Sequence, residues 1–219
     1  MRNFILIVAL VLSNNAALAQ SNKMGNWLIY FGNQKINKNW NFHNEFQYRS
    51  YNRLEDPSQL LFRVGIGYNL SDNNNNILAG YGFIQSYLQN DSLKKYINEN
   101  RIFQQFITKH NLKSLLITHR FRLEERFIEK DFKLRLRYFL SVNKPLNKPT
   151  LDKNALYIAS SNEIFIHMSD RLYDRNRFYV GLGYAFNKHI RAETGYMIQH
   201  TTNNTQQQFQ LIFINNLPF

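Results

Sequence analysis

The sequence predicts an all-β fold: one antiparallel, up-and-down transmembrane β-barrel of ten to twelve strands. Three observations carry that expectation. The first is a period of two in Thr118 to Asn143, THRFRLEERFIEKDFKLRLRYFLSVN. Phe121, Leu123 and Phe127 alternate with Arg120, Arg122, Glu124 and Arg126. After the polar break at Glu129, Lys130 and Asp131, the apolar set Phe132, Leu134, Leu136, Tyr138, Leu140 and Val142 alternates with Lys133, Arg135, Arg137 and Ser141. Such alternation describes strands with one apolar and one polar face. The second observation is the length and chemistry of these strands. They continue for about ten residues or more, enough to cross a tilted bilayer. Arginines dominate the polar face, and each would cost roughly 2–4 kcal/mol if turned toward mid-bilayer lipid. The arginine parity is therefore expected to face an enclosed polar interior. The third observation is composition. The 219 residues include 18 Phe and 13 Tyr but only 4 Pro and no Cys. Mean hydropathy is negative. Aromatic richness with low overall hydropathy fits a barrel in which only alternate residues meet lipid.

Residues 1–19 are expected to be a secretory signal peptide. Arg2 supplies a basic start, Phe4 to Leu12 an apolar run too short to span a membrane, and Ala17-Leu18-Ala19 a small-x-small cleavage site. The remaining segment, 20–219, is expected to form one outer-membrane β-barrel domain starting at Gln20. No Cys follows the cleavage site, which argues against a lipoprotein, a disulfide framework and a cysteine metal site. The whole chain carries +12 and the exported part formally +11, because Arg2 is lost and all 15 acids stay. The basic residues are strung along strands. That placement favours lumen networks and anionic lipid, including lipopolysaccharide phosphates, over nucleic acid.

The strands follow in order. The first is expected at Met24 to Lys35, with Trp27, Ile29 and Phe31 on one parity and Tyr30 and Gly32 on the other. Asn37-Lys38-Asn39 turns the chain into Trp40 to Ser50, where Trp40, Phe42, Phe46 and Tyr48 point out and His43, Glu45, Gln47 and Arg49 point in. Arg53 to Pro57 is a polar loop. Leu60 to Leu70 sets apolar residues against Gln59, Arg63, Gly65 and Gly67. Ser71 to Asn76 is a turn by composition. Ile77, Ala79, Tyr81 and Phe83 then face out beside Gly80 and Gly82. Ser86 to Ile97 is read as a long loop. Asn98 to Thr108 carries Glu99, Arg101, Phe103 and Gln105 inward, and Lys109 to Lys113 turns the chain into the hairpin described above. A loop with Pro145 and Pro149 follows. Leu156 to Ile166 is less regular, because Ser160 and Asn162 fall on the outward parity while Tyr157, Glu163 and Phe165 point in. Met168 to Asp174 is read as a charged loop. Phe178 to Phe186 alternates with Arg177, Tyr179, Gly181 and Gly183, and Ile190 to Ile198 with Arg191, Glu193 and Gly195. The last strand is counted back from Phe219 through Leu217, Phe213, Leu211 and Phe209.

This count gives eleven strands, whereas single-chain bacterial barrels have even numbers. The connections near 37, 73, 111, 149 and 188 are read as the shorter, periplasmic set.

Several short stretches occur in the order found in a known family. They are the Trp27 strand, Glu45-x-Gln47-x-Arg49, RFRLEERF at 120–127, RLRY at 135–138, NEIF at 162–165, RNRFYVGLGY at 175–184 and GYMIQH at 195–200. Together they make the chain resemble bacterial outer-membrane proteins grouped as domain of unknown function 2490. The resemblance implies an outer-membrane barrel of a Gram-negative bacterium and brings no activity, substrate or catalytic residue. In outer-membrane barrels a terminal aromatic, here Phe219, serves recognition by the barrel assembly machinery.

The candidate site is the inward set of opposite charges. It comprises Glu45, Arg49, Arg63, Glu99, Arg101, Arg120, Arg122, Glu124, Arg126, Arg135, Arg137, Glu163, Arg177 and Glu193. Guanidinium and carboxylate groups pair bidentately. The set is therefore either a structural plug, or the lining of a narrow pore or pocket for small anionic or polar solutes. Two alternatives make different demands. A lipid-modifying enzyme would use serine and histidine. His43, His167, Ser141, Ser160 and Ser161 are available, but no spacing couples them and no G-x-S-x-G occurs. A soluble exported ligand-binding barrel would reverse the two faces, with an apolar interior and a polar exterior. Asp91, Asp170 and Asp174 are expected in outer loops, where carboxylates could hold divalent ions beside lipid phosphates. No cofactor is expected.

Overall fold

A computed structural model describes residues 24–52, 54–71, 74–88, 96–168 and 172–218. The expected signal peptide, the loop acids Asp91 and Asp170, and Phe219 lie outside the described residues.

The described residues contain no helix. Eleven strands close into one barrel, each hydrogen-bonded to its neighbours in sequence. They are β1 (Gly25–Lys35), β2 (Trp40–Ser50), β3 (Pro57–Asn69), β4 (Asn75–Tyr87), β5 (Tyr96–Leu112) and β6 (Leu115–Ile128). They continue with β7 (Asp131–Pro145), β8 (Ala155–His167), β9 (Tyr173–Ala185), β10 (Ile190–Thr201) and β11 (Thr205–Asn215). Each connection reverses the chain, so β1 and β11 run in the same direction. An odd count can close only through a parallel pair, and β1 pairs with β11 in parallel from Gly25↔Gln208 to Gly32↔Asn215. The expected all-antiparallel wall is corrected at this one seam. On the outer surface the seam is reinforced by stacking of Tyr30 on Phe213, with ring centroids 6.1 Å apart, and by the Asn215 amide donating to Tyr30 Oη.

Some boundaries differ from those expected. β5 continues to Leu112, so the turn into β6 is only Lys113 and Ser114. β4 reaches Tyr87 and β5 starts at Tyr96, which shortens the loop read over 86–97. Lys113 and Glu129 open the two-residue turns before β6 and β7 with φ of 54° and 52°. A left-handed residue at that position matches the twist of the flanking strands. β11 ends at Asn215 rather than Phe219; the Asn215 side chain accepts the Leu217 N–H and turns the chain off the wall. The connections at the C-terminal rim, where β11 ends, are not the shorter set. That rim carries the nine-residue segment 146–154, and the opposite N-terminal rim carries the two-residue turn 129–130.

The parities sort as the arginine argument requires. Phe62, Ile66, Phe121, Leu136, Phe178, Leu182, Ile198 and Leu211 stand on the outer face, 41–51% exposed. Glu45, Arg63, Arg101, Arg122, Glu124, Arg135 and Arg137 are inside, at most 7% exposed. The polar residues on the outward parity of β8 are satisfied laterally. Asn162 and Asn176 exchange two amide hydrogen bonds of 2.9 and 3.1 Å, and Ser160 donates to Val142 O.

The interior itself has two sides. Trp27 and Ile29 of β1 pack inward against Tyr157, Ala159, Tyr179, Met197 and Ile212. The arc from β8 round to β1 thus holds an apolar cluster among polar side chains such as Glu193, Gln199, Gln208 and Gln210, and most of the paired charges lie on β2 to β9. Large rings fit because glycine faces them: a Cβ at Gly183 would run into the Tyr157 ring.

The parallel seam is directly testable, because the chain lacks cysteine. Leu28 and Leu211 are direct partners on the outer face, and adjacent strands lie about 4.8 Å apart. Leu28→Cys with Leu211→Cys is expected to form an intramolecular disulfide on oxidation, read as a shift on non-reducing gels. Failure to cross-link in folded protein would take β1 out of the wall.

Candidate functional site

Strand register brings the inward charges together, and it also creates a problem. Arg101 lies directly opposite Arg126, and Arg122 opposite Arg137. Like charges across a pair of strands repel. Carboxylates resolve the first case: Glu99 receives both partners, Arg101 at 2.6 and 2.9 Å and Arg126 at 2.5 and 3.0 Å. In the second, Arg122 turns to Gln105 at 2.6 and 2.9 Å, and Arg137 turns to two acids.

Glu124 is the hub. It sits on β6 opposite Arg135 of β7 and has no solvent exposure. Arg135 donates to it at 2.5 and 3.0 Å, and Arg137 at 2.5 Å. Arg63, Arg101 and Arg122 approach it at 3.7–3.8 Å. Around this hub, Glu45 accepts from Arg63 at 2.6 Å. Glu163 accepts from Arg137 at 2.7 and 3.0 Å and from Arg120 at 2.8 Å. Aromatic faces complete the packing. Arg122 lies over Phe103, Arg120 over Phe139, and Arg135, Arg137 and Arg177 around Phe165, all within 4.5–5.2 Å.

Three of the expected residues stand outside this pairing. Glu193 belongs to the apolar arc, where it accepts a 2.8 Å hydrogen bond from Tyr157 Oη. Arg49 donates to the side-chain oxygens of Gln47 and Gln59, and Arg177 to that of Gln199. Among the described residues neither has a carboxylate within 4.0 Å. Both lie instead against Trp27, at 3.7 and 4.9 Å from the ring centre.

Asp174 corrects the reading of 168–174 as a loop. It lies in β9, and a register shift opposite Phe165 and Ile166 turns its carboxylate into the lumen. There it accepts from Arg135 at 3.1 Å and from Arg175 at 2.9–3.0 Å. Strict alternation hid this acid, because a bulge shifts parity without a mark in composition. Arg175 and the inward glutamines shared the parity of recognised lumen residues and could have been read there. His43 lies 3.6 Å from Glu45 and His167 lies 3.4 Å from Asp174. Ser141 and Ser161 face each other across β7 and β8, and neither histidine is hydrogen-bonded to a serine among the described residues. No group of three or more metal-ligating side chains gathers among them.

A cavity of about 330 Å³ lies in the lumen beside these charges. At the C-terminal rim it is lined by the exposed Asn33 and Lys109, so it meets solvent there. Toward the N-terminal rim it ends at Arg49, Trp27 and Arg177, while Glu99, Glu124 and Arg135 fill the space beside it. The cavity therefore opens at the C-terminal rim and abuts the charged plug.

Removing the hub charge leaves buried guanidinium groups uncompensated, which costs about 3–5 kcal/mol. Glu124→Gln is expected to destabilise the barrel on that scale in denaturant unfolding followed by circular dichroism. Glu193→Gln, which keeps a neutral partner for Tyr157, is expected to cost only about 1 kcal/mol. Equal effects would refute the hub role.

No curated protein matches the chain, and no solved structure does. The family described as protein of unknown function (DUF2490) matches residues 24–210. That span runs from the residue before β1 into β11 and contains the whole charged plug, and the chain therefore belongs to this family.

Proposed function

We propose that the protein is an integral β-barrel of a Gram-negative outer membrane whose lumen is a closed-ended polar chamber rather than a through-pore. The observation that carries this reading is the inversion of its two surfaces. The outer wall presents Phe62, Ile66, Phe121, Leu136, Phe178 and Leu182 to the surroundings, each at least 41% exposed. The enclosed volume holds arginine and glutamate. In water, so continuous an apolar exterior would drive association. In a bilayer it is the solvated face.

Two further features support the reading. The strands run 11–17 residues, long enough to cross a hydrocarbon core at a tilt. Aromatic pairs mark both rims of the apolar band, with the amphipathic Trp and Tyr toward the C-terminal rim. Trp40 packs edge-on against Tyr68 and Tyr184 against Phe186 toward the C-terminal rim, and Phe127 packs against Phe132 toward the other. Such girdles sit where lipid meets water. The outer face would then contact acyl chains, and the basic rims would contact the anionic headgroups of phospholipid or lipopolysaccharide.

Membrane fractionation and gel migration test the location. The protein is expected in the outer-membrane fraction, with faster migration in unboiled than in boiled detergent samples. Leu136→Arg separates lipid from water on the outer face. It is expected to cost roughly 2–4 kcal/mol of folding free energy into vesicles, against little change for an exposed site in water. Recovery in the soluble periplasmic fraction with an unaffected Leu136→Arg variant would end the membrane reading. In planar bilayers the folded protein is expected to give no steady conductance steps; regular steps would show that the charged layer is a channel and not a plug.

A further inference from the structure

We propose that the inner end of the chamber binds a small amphiphilic carboxylate, with the anion at Arg49 and Arg177 and the apolar body along the β8–β1 arc. The inference rests on the lumen cavity described above and not on the membrane location.

Four observations converge on this place. First, the arginines of the plug proper are paired with or close to a carboxylate, whereas Arg49 and Arg177 hydrogen-bond only to glutamine oxygens among the described residues. Both pack on the Trp27 ring, Arg177 also on Phe165, and neither has a carboxylate within 4.0 Å even though Glu163 is the cross-strand partner of Arg177. Amide oxygens orient a guanidinium without neutralising it, and two unneutralised cations around one indole form a site for an anion. Second, both arginines line the cavity rather than lying behind it. Third, the wall between the two arginines, on β1, β11 and β10, has an apolar stretch. Ile29, Met197 and Ile212 line the same cavity and are 2–7% exposed. A bare inorganic anion would leave that wall without a partner, and a neutral hydrocarbon would leave the arginines without one. Fourth, about 330 Å³ is at the small end of ligand pockets, which fits a short-chain acid better than a full-length lipid.

Access follows from the same geometry. The mouth at the C-terminal rim carries Lys109 and Arg191, both lining the cavity, so an anion meets positive charge before it reaches the inner site. Nearer the inner end, Arg120 Nε is buried without a hydrogen-bond partner in the protein and lines the same space.

The chain offers its own reporter. It has two tryptophans, Trp27 in the lumen and Trp40 on the outer surface, 44% exposed. In a Trp40→Phe variant excited selectively at tryptophan, beyond the absorption of the 13 tyrosines, emission comes from Trp27 alone. Titration of that full-length folded protein with hexanoate is expected to give a saturable change in emission. Acetate, which lacks the apolar body, and hexanol, which lacks the charge, are expected to bind at least about tenfold more weakly, since each loses one class of contact. Arg49→Gln with Arg177→Gln is expected to weaken hexanoate by about tenfold or more while circular dichroism remains that of the parent.

Absence of a saturable response to hexanoate would overturn the proposal. So would equal binding of acetate, which would make this a simple anion site, or of hexanol, which would make it a purely apolar one. An unchanged affinity in the folded double variant would overturn the assignment to these arginines. Fractionation keeps the two readings apart. A heat-modifiable membrane protein that ignores hexanoate refutes the site alone, and a responsive protein found in the soluble fraction refutes the location alone.

Discussion

Enclosure of arginine charge is the constraint on which this barrel depends. A guanidinium group taken out of water must meet carboxylates or amide oxygens in good geometry, or the desolvation cost prevails. Glu124 meets that demand for five arginines at once, two by direct hydrogen bonds and three at longer range. It can do so because β5, β6 and β7 place Phe103, Glu124 and Arg135 side by side. The pairing therefore ties the register of the longest hairpins to the electrostatics of the lumen. A slip of one residue in such a strand would turn its lumen charges outward and its outward Phe and Leu inward.

The plug is only half of the interior. From β8 through β11 to β1 the inward parity carries the apolar cluster of Trp27, Ile29, Tyr157, Tyr179, Met197 and Ile212, interspersed with Glu193, Gln199, Gln208 and Gln210. A barrel of eleven strands encloses more space than side chains alone fill, and the two arcs fill it differently. Arginine and glutamate cross-link the β2–β9 arc. An apolar cluster with interspersed glutamines lies on the other, and the cavity is lined by residues of both. That division gives the lumen a polarity across its width as well as along its axis.

The seam shows how topology and chemistry meet. An odd number of hairpin-linked strands leaves the ends of the sheet parallel, and β1 and β11 accept that geometry with a continuous register of partners. The Tyr30–Phe213 stack supports it from outside and the Trp27–Ile212 packing from inside. The first and last strands thus meet in the wall next to the apolar arc.

Much of this was legible in the chain itself. Alternation over 118–143 and in most other segments was enough to give the closed β architecture, the strand count of eleven and the direction of the arginine parity. It works because one methylene-rich face and one guanidinium-rich face cannot share a solvent. Less was legible where the signal depends on neighbours in space. Trp27 and Ile29 look like any outward apolar pair, and only closure against β11 turns them inward beside Ile212. Asp174 reads as a loop acid until a bulge carries it to Arg135. Loop length does not distinguish the rims, because segment 146–154 and turn 129–130 fall on the opposite ends from those that alternation of short and long would assign. Periodicity along one strand determines which side a residue takes. Which arginine pairs with which carboxylate, and which two form no close ion pair, was decided by register between strands and by closure of the barrel, where distances across the lumen first exist.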